Sequence, residues 1–298
     1  MPPVNLSIGV DGGGTKTELI LCDASGNVLA RHSAPGCNPS HTGPEQARAT
    51  LNSALAALTS GQAGNIGRCA LYLAGAPAFW RDYAAGLTGY GQVSSYPDSL
   101  PVLELATSGA PGLVLHSGTG SFIAARGPDD AVHYAGGLGW KLGDPGSGFE
   151  LGRRGAAQAL LELQGWAVAT GLGVSLQQHT GLERSSEITR FFYSDPAANA
   201  RLAAFAPMVL ELAESGCAPA REALQTSLAD LAQQAELVLA KLFPGRTGIP
   251  CGICGSILNR ASVATQVREL AAARRWPVKL HFITDSPIEG VRRLLLRG

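Results

Sequence analysis

The alternation of short apolar runs with glycine-rich turns predicts that the chain opens with β-strands. Residues 6–10, 18–22 and 28–31 are apolar runs of strand length, separated by turns rich in glycine and aspartate. The first turn, residues 11–17, has the sequence Asp-Gly-Gly-Gly-Thr-Lys-Thr. Because a strand pattern both precedes and follows this turn, we predict that it closes a β-hairpin.

Helical and strand patterns alternate in the segment that follows, up to residue 126. The predicted helices are at residues 45–58 and 102–107, and the predicted strands are at residues 69–75, 92–96, 113–116 and 122–126. The last two strands flank a second glycine turn, Ser-Gly-Thr-Gly-Ser at residues 117–121. A strand, a glycine turn and a strand therefore occur twice, which predicts two α/β domains that each begin with a hairpin.

The second half of the chain is dominated by helical spacing. Residues 149–243 are predicted to be mostly helical, and residues 249–254 form a strand that runs into a third glycine turn at residues 254–256. A helix at 263–275, a strand at 278–282 and a final helix from about residue 287 follow. We predict domains at residues 1–115 and 116–298, with a helical insertion in the second and with the last helix packing back on the first.

Length, composition and charge narrow the class of protein. A chain of 298 residues with 45% hydrophobic and 15% charged residues is typical of a folded protein of about two domains. The 23 basic residues balance 23 acidic ones, so the charge gives no indication of a nucleic-acid or membrane-surface partner. No signal peptide and no transmembrane run are recognised, and the six scattered cysteines suit reduced thiols, so we expect a cytoplasmic protein. The C-x-x-C of Cys251 and Cys254 is a weak metal signal, because it lacks a second pair.

The glycine turns have a structural and a functional interpretation. Glycines explain a tight turn that needs positive φ, but they also let a backbone approach a phosphate and direct N–H groups at it. The first turn opens a strand rather than a helix, which argues against a dinucleotide-binding loop, and it lacks the spacing of a P-loop. Two Gly-Thr hairpins at strand ends therefore favour a pair of phosphate-binding turns.

Three aspartates accompany these turns. Asp11 ends the first strand beside the glycines, where a carboxylate suits Mg²⁺. Asp98 follows another strand, where it is either a helix N-cap or a general base for an acceptor hydroxyl. Asp144 lies in Gly-Asp-Pro-Gly, which is either turn chemistry or a ligand-binding position. The three acids and three glycine turns together favour a phosphoryl-transfer cleft.

This set of motifs resembles the sugar kinase–actin–Hsp70 ATPase superfamily. Within it, the chain resembles the BadF/BadG/BcrA/BcrD ATPase family, on the N-acetylglucosamine and glucosamine kinase side. The segments that carry the resemblance are the turns at 11–17, 117–121 and 251–256 and the glycine-rich segment at 136–144. The resemblance implies two RNase H-like (actin-like ATPase) domains, ATP and Mg²⁺ as cofactors and an amino sugar as substrate, and it leaves a homodimer open.

The resemblance also implies roles for individual residues. Asp98 would be the general base and Asp11 the Mg²⁺ ligand. The residues expected to contact ATP are Gly13, Gly14, Thr15, Lys16, Gly118, Thr119, Gly120, Gly255 and Ser256. The residues expected to bind the sugar are Asn38, Ser121, Gly137, Leu138, Gly139 and Asp144.

The sequence departs from the family pattern at three places. Pro145 stands where family members often have Glu, Pro39 follows Asn38 where animal-type N-acetylglucosamine kinases have His, and Ser-Leu-Pro rather than small alanines follows Asp98. The leading hypothesis is an ATP-dependent kinase for N-acetylglucosamine, glucosamine or N-acetylmuramic acid. The alternatives are an ATPase that activates a 2-hydroxyacyl-CoA dehydratase through an iron–sulfur cluster, and a sugar-sensing protein without turnover.

Overall fold

The computed structural model describes residues 5–62 and 64–297, which form two compact α/β units. The first unit contains the described residues up to Gly109 and those from Thr284 onwards, and the second spans Ala110–Ile283. The sequence predicted a boundary between functional domains at residue 115 and a last helix that packs back on the first domain. Both stay predictions. Among the described residues, no helix combines the length and apolar character that crossing a membrane requires.

The helices and strands alternate in the first unit, and helices dominate the middle of the second. In chain order they are β1 (Asn5–Gly12), β2 (Lys16–Cys22), β3 (Val28–Pro35), α1 (Pro39–Thr42), α2 (Pro44–Thr59), β4 (Asn65–Leu73), α3 (Pro77–Gly86), β5 (Gln92–Pro97), α4 (Ser99–Thr107), β6 (Gly112–Ser117), β7 (Ser121–Arg126), β8 (Val132–Gly136), α5 (Gly148–Leu163), α6 (Leu172–Thr180), α7 (Ser185–Ser194), α8 (Ala198–Glu214), α9 (Ala218–Leu242), β9 (Ile249–Cys254), α10 (Ala261–Ala273), β10 (Val278–Phe282) and α11 (Pro287–Arg297). The sequence analysis did not single out α3 or β8.

The two sheets have the same topology. The first has the order β3-β2-β1-β4-β5 and the second, read in the equivalent direction, β8-β7-β6-β9-β10. In each sheet the first three strands are antiparallel neighbours, and the last two run parallel to the first strand. Both glycine turns therefore join the first and second strands of their sheet, as predicted for the hairpins.

The sheet of the first unit is covered on both faces. Ile8, Val10 and Leu19 pack with buried residues of α2, and Ile20 and Tyr72 pack with Ile288 and Val291 of α11 on the other face. The α11 face depends on a small residue, because a Cβ on Gly9 of β1 would lie 2.4 Å from Val291 Cγ1. This packing fixes β1, and thereby the strand end from which the first hairpin turn begins.

The core of the second unit lies between its sheet and the helical segment. Leu113, Ile123 and Ile253 of the strands form one buried cluster with residues of α5, α8 and α9, among them Leu151 and Phe205. Burial of such side chains contributes roughly 1.5–3 kcal/mol each. The helices thus cover one face of the sheet and hold the strand ends where the second and third glycine turns lie.

Candidate functional site

The first glycine turn is a short hairpin with an open tip. Gly12 pairs with Thr17 at the end of the β1–β2 ladder. The Gly13 N–H donates to the Lys16 carbonyl at 2.9 Å, and the Gly13 carbonyl accepts from the Cys37 N–H at 3.1 Å. Within the described residues, the N–H groups of Gly14 and Thr15 donate to no partner. Two adjacent unpaired amides form the type of nest that binds anions.

The glycines of this turn are not required by left-handed backbone. Positive φ was one interpretation of the turn, but none of Gly12, Gly13 and Gly14 adopts it. A Cβ on Gly12 would lie 2.4 Å from Leu73 Cδ2, so packing requires that glycine, whereas a Cβ on Gly13 would meet only the Lys16 carbonyl at 3.6 Å. Gly13 is therefore explained neither by conformation nor by packing, which leaves close approach of a ligand as its physical reason.

Two carboxylates lie close to each other in the first unit. Burial, with the charges of Asp98 and Glu18, raises the pKa of Asp11 to about 7, and Lys16 opposes this shift. Burial also raises the pKa of Asp98, while the backbone N–H groups of Asp98 and Ser99 oppose it. The charge of Asp98 is thus felt at Asp11, and two neighbouring carboxylates of this kind attract a cation or a proton.

Asp98 stands at the N-cap position of α4 without capping it. Its backbone has helical dihedral angles, and its side chain makes no capping hydrogen bond. The helix-cap alternative from the sequence is therefore wrong for the side chain. The half-buried carboxylate at the end of β5 accepts instead from the backbone N–H groups of Asp98 and Ser99.

Asn38 and Lys16 have local partners in the first unit. Asn38 is the N-cap of α1, because its Oδ1 accepts from the Ser40 N–H at 3.0 Å. This uses the acceptor end of the amide, and its NH₂ group donates to no described partner. The ammonium of Lys16 lies 2.8 Å from Glu18 Oε1 on the exposed face of β2. The roles predicted for both residues stay predictions.

The second glycine turn is held firmly by the loop before α5. Ser117 pairs with Ser121, and the Gly118 N–H donates to the Gly120 carbonyl at 2.9 Å. The N–H groups of Gly148 and Phe149 donate to the carbonyls of Gly118 and Thr119, at 2.8 and 3.1 Å. Within the described part of the chain, the N–H groups of Thr119 and Gly120 have no partner. This tip therefore presents a second pair of free amides.

The predicted sugar-binding segment converges on Asp144. The Gly139 N–H donates to Asp144 Oδ1 at 3.2 Å, and a Cβ on Gly120 would lie 3.2 Å from Asp144 Oδ2. Burial raises the pKa of Asp144, and Glu150 adds to that shift while the Gly139 N–H opposes it. The Ser121 hydroxyl donates to the Pro145 carbonyl at 2.6 Å, so it fixes the Asp144 loop.

The glycines around Leu138 shape an exposed loop. Gly137 and Gly139 have φ of 65° and 81°, a backbone conformation that side-chain-bearing residues rarely adopt. Leu138 between them is 61% exposed. The structure therefore places Gly139, Asp144, Ser121 and Gly120 together, with Gly137 and Leu138 on the adjoining loop.

The third glycine turn docks onto the second hairpin. Gly255 has a φ of 96°, and a Cβ on it would lie 2.1 Å from the Ser117 carbonyl oxygen. The Ile257 N–H donates to that same carbonyl at 3.1 Å. Gly255 and Ser256, predicted to contact the nucleotide, are thereby fixed beside Gly118.

A partly buried histidine and a buried thiol lie beneath these two turns. His116 Nδ1 lies 3.3 Å from Cys254 Sγ, and the ring of His116 stacks on Phe122. Burial lowers the pKa of His116 to about 4 and raises that of Cys254 to about 12. Both groups are therefore neutral at physiological pH, and all six cysteines are free thiols.

A surface cavity of about 410 Å³ lies elsewhere in the second unit. It is lined by residues that precede β9 and β10, among them Phe243, Arg246, Arg275 and Trp276, and by none of the predicted site residues. The candidate chemistry is at the carboxyl end of β9, so this cavity is at the opposite end of that strand.

Sequence reasoning did not identify His41. Its imidazole lies against the first hairpin, because a Cβ on Gly14 would be 2.7 Å from His41 Nδ1. The short segment Asn-Pro-Ser-His at residues 38–41 could have indicated it. Asn38 is an N-cap residue, and a helix that begins after it carries His41 on its first turn.

Two sheets of one topology, each with a Gly-Thr hairpin after its first strand, define an actin-like ATPase fold. The model of the BadF/BadG/BcrA/BcrD ATPase family matches residues 8–291. The chain therefore belongs to this family, as the resemblance of its motifs indicated.

Individual relatives agree with the family assignment. The N-acetyl-D-glucosamine kinase of Dictyostelium discoideum is 26% identical over 228 residues, which are 70% of this chain and 71% of that protein. A crystal structure from Chromobacterium violaceum, provisionally named N-acetylglucosamine kinase, matches with a TM-score of 0.80 and 25% identity, over 99% of this chain and 100% of the other. A Porphyromonas gingivalis structure with the same provisional name matches with a TM-score of 0.77 and 22% identity, over 97% and 98% of the two chains, and shows the shared fold.

Proposed function

We propose that this protein is an ATP-dependent kinase that phosphorylates a hydroxyl of an amino sugar of the N-acetylglucosamine type. The observation that carries the proposal is the carboxylate of Asp98, which is half-buried at a strand end, caps no helix and lies close to Asp11. The relatives from Dictyostelium discoideum and Chromobacterium violaceum support the sugar as substrate. The amino sugar and the hydroxyl that receives the phosphate are matters for experiment.

The proposed mechanism relies on positioning rather than covalent catalysis. Asp98 accepts the proton of the sugar hydroxyl as that oxygen attacks the terminal phosphate of ATP, and ADP leaves on the opposite side. Its raised pKa lies closer to the working pH, which favours a general base. The free amides at Gly14, Thr15, Thr119 and Gly120 would hold phosphate oxygens as the charge is redistributed.

Asn38 and Asp144 would each hydrogen-bond hydroxyls of the sugar. The NH₂ group of Asn38 is a donor, and the carboxylate of Asp144 is an acceptor for sugar hydroxyls. The backbone at Gly137, Leu138 and Gly139 would line the pocket, while Ser121 keeps the Asp144 loop in place. Because the acceptor is oriented before reaction, its hydroxyl gains the advantage of proximity.

The residues of the first unit fit a Mg²⁺ ion bound together with the nucleotide. Asp11 makes no side-chain hydrogen bond to the described residues, and its raised pKa reflects its burial first and then the charges of Asp98 and Glu18. No group of three or more Asp, Glu, His or Cys side chains in the described ranges is arranged as a metal site. This suits Mg²⁺, which is commonly held by one or two carboxylates plus phosphates and which neutralises phosphate charge.

The two alternative functions have less support. An iron–sulfur ATPase needs accessible cysteine thiolates, but burial raises the pKa of Cys251 and Cys254 and keeps both as neutral thiols. A sugar sensor without turnover would not need the Asp11–Asp98 pair, whose mutual repulsion costs stability. ATP and reduced thiols are both features of the cytoplasm, which we propose as the location.

A coupled assay of ADP release tests the proposal. Amino sugars would be screened as free, N-acetylated and lactyl-ether forms, with glucose and buffer as references. We expect ADP release with at least one N-acetylated sugar, and retention of that activity in Asp82→Asn, a change on the exposed face of α3. Nucleotide binding without ADP release for every sugar would favour the sensor and contradict the kinase.

A further inference from the structure

His41 occupies an exposed position at the tip of the first hairpin. It is the third residue of α1, and its backbone N–H donates to the Asn38 carbonyl at 2.9 Å. A Cβ built on Gly14 would lie 2.7 Å from His41 Nδ1 and 3.1 Å from its Cε1, so the imidazole edge lies against the Gly14 backbone. A residue larger than glycine at position 14 would displace this ring.

The imidazole has no structural partner of its own. Its side chain forms no hydrogen bond or ion pair with the described residues, and it is outside the buried clusters of the first unit. The ring is exposed, so it fills no space in the core. It lies instead on a turn whose own amides are unpaired. The contact therefore has no evident value for stability.

The backbone that carries the ring is nevertheless well defined. Asn38 caps α1 through its side chain, and the Thr42 hydroxyl donates to the Asn38 carbonyl at 3.2 Å. Pro39 at the first helical position restricts the backbone further. These contacts hold His41 over Gly14 before any ligand arrives.

The other basic side chain of the tip is already engaged. Lys16 contacts Glu18 at 2.8 Å, and the Ser286 hydroxyl donates to Glu18 as well. The imidazole of His41 thus adds a side-chain donor beside the free N–H groups of Gly14 and Thr15. Three donors on one small surface are suited to a tetrahedral phosphate oxygen group.

We propose that His41 donates a hydrogen bond to a phosphate oxygen of the bound nucleotide, completing the site formed by Gly14 and Thr15. This inference rests on the proposed function to the extent that it takes a nucleoside triphosphate as the ligand. It adds His41 to the residues expected to contact ATP, while the predicted contact of Lys16 stays a prediction. It also explains why position 14 is glycine, because the ring and the phosphate would both lie on it.

Direct binding of nucleotides by calorimetry tests the role without any sugar. We expect His41→Ala to weaken binding of a non-hydrolysable ATP analogue about tenfold, the effect of losing one hydrogen bond to a charged group. Adenosine should bind to within roughly twofold of the unaltered protein, because it carries no phosphate. His41→Asn should recover a good part of the loss, since its amide also donates.

The matched control is His281→Ala, which removes an exposed histidine from β10 of the other unit. It should leave all these affinities unchanged, and all variants should keep the unfolding midpoint of the parent. Equal affinity of His41→Ala for the ATP analogue, or an equal loss for adenosine and the analogue, would overturn the proposal. Because no step requires a sugar acceptor, this result is independent of whether an amino sugar is phosphorylated.

Discussion

The two glycine hairpins have the same backbone pattern but different supports. The tip of the first is held by the bonds of Gly13 to Lys16 and Cys37 and by the close approach of Gly36 to Gly14. The tip of the second is held by the close approach of Gly255 to Ser117 and, in addition, by N–H groups from the start of α5. The second hairpin thus has backbone bonds from a helix start that the first lacks.

The two hairpins also differ in the carboxylates that lie beside them. The first unit places two carboxylates with raised pKa values, Asp11 and Asp98, close together. In the second unit Asp144 accepts from Gly139, and Ser121 bonds to the loop that carries Asp144. In the first unit the charge of one carboxylate is thus felt by another, whereas in the second the carboxylate is held by its own loop.

The largest effect on stability is expected from Asp11→Asn. The folded-state pKa of Asp11, about 7, is above the ordinary value of 3.8, so its ionisation opposes folding. Stability is lost as the pH rises from about 4 to 7, and the full cost is at most about 4 kcal/mol. In urea unfolding, the variant should therefore exceed the parent in stability by an amount that grows across this range and is constant above it.

The same variant should lose activity, because a neutral amide is a poor Mg²⁺ ligand. Mg²⁺ with an ATP analogue should raise the unfolding midpoint of the parent much more than that of Asp11→Asn. A variant that is less stable than the parent at pH 8 would contradict an uncompensated carboxylate pair in the first unit.

A pair of glycine substitutions tests the difference in support. Gly255→Ala introduces a side chain at φ 96° and against the Ser117 carbonyl, and the backbone conformation alone costs about 1–2 kcal/mol. A Cβ at Gly13 would be in ordinary contact with the Lys16 carbonyl at 3.6 Å, so the stability of Gly13→Ala should change by less than about 0.5 kcal/mol. Chemical denaturation measures both differences.

Gly13→Ala should have the smaller effect on stability but the larger effect on nucleotide affinity. The variant keeps its fold, but it places a methyl group where a phosphate would approach. We expect a clear loss of affinity for an ATP analogue in calorimetry. A stable Gly255→Ala, or a Gly13→Ala that binds nucleotide normally, would remove the distinction between the hairpins.

Ser121→Ala should have a moderate effect confined to the sugar. It removes the donor to the Pro145 carbonyl, a buried bond worth about 1 kcal/mol, and loosens the loop that carries Asp144. Steady-state kinetics should give a higher KM for the sugar with a nearly unchanged KM for ATP. Ser53→Ala on the exposed face of α2 is the matched control, and a rise in both KM values would argue against a positioning role.

The smallest effect concerns the thiols near the third turn. Cys251 and Cys254 are buried with raised pKa values, whereas Cys217 is partly exposed. A thiol reagent at pH 8 should label Cys217 first and leave the other two unmodified in the folded protein, as peptide mapping would reveal. Fast labelling of Cys254 would mean that the turn at Gly255 opens readily.

Much of the fold was accessible from sequence because its signals were local. The apolar runs on both sides of each glycine turn predicted the two hairpins, and the repeat of that pattern predicted two sheets. The helix α3 was missed because it has only ten residues and begins with Pro77, although its buried residues Trp80, Tyr83 and Ala84 follow helical spacing. The strand β8 was missed because its residues are partly polar and only partly buried.

The candidate site was less accessible, because its contacts join segments far apart in the chain. The sequence identified Asp98 but not whether its side chain caps α4, since both roles suit aspartate at that position. Likewise, three glycines in a row suggested a left-handed turn, but the backbone shows that Leu73, Cys37 and His41 surround two of them. Packing between distant segments decided both questions.

The most direct test of the account is product formation by Asp98→Asn. Sugar phosphate would be followed by ³¹P NMR with the best acceptor of the screen, alongside calorimetric binding of an ATP analogue. The account predicts that turnover falls about 10²–10⁴-fold while nucleotide affinity stays within roughly twofold of the parent. Near-normal turnover in Asp98→Asn, with Asp82→Asn as the control, would contradict the assignment of Asp98 as the general base.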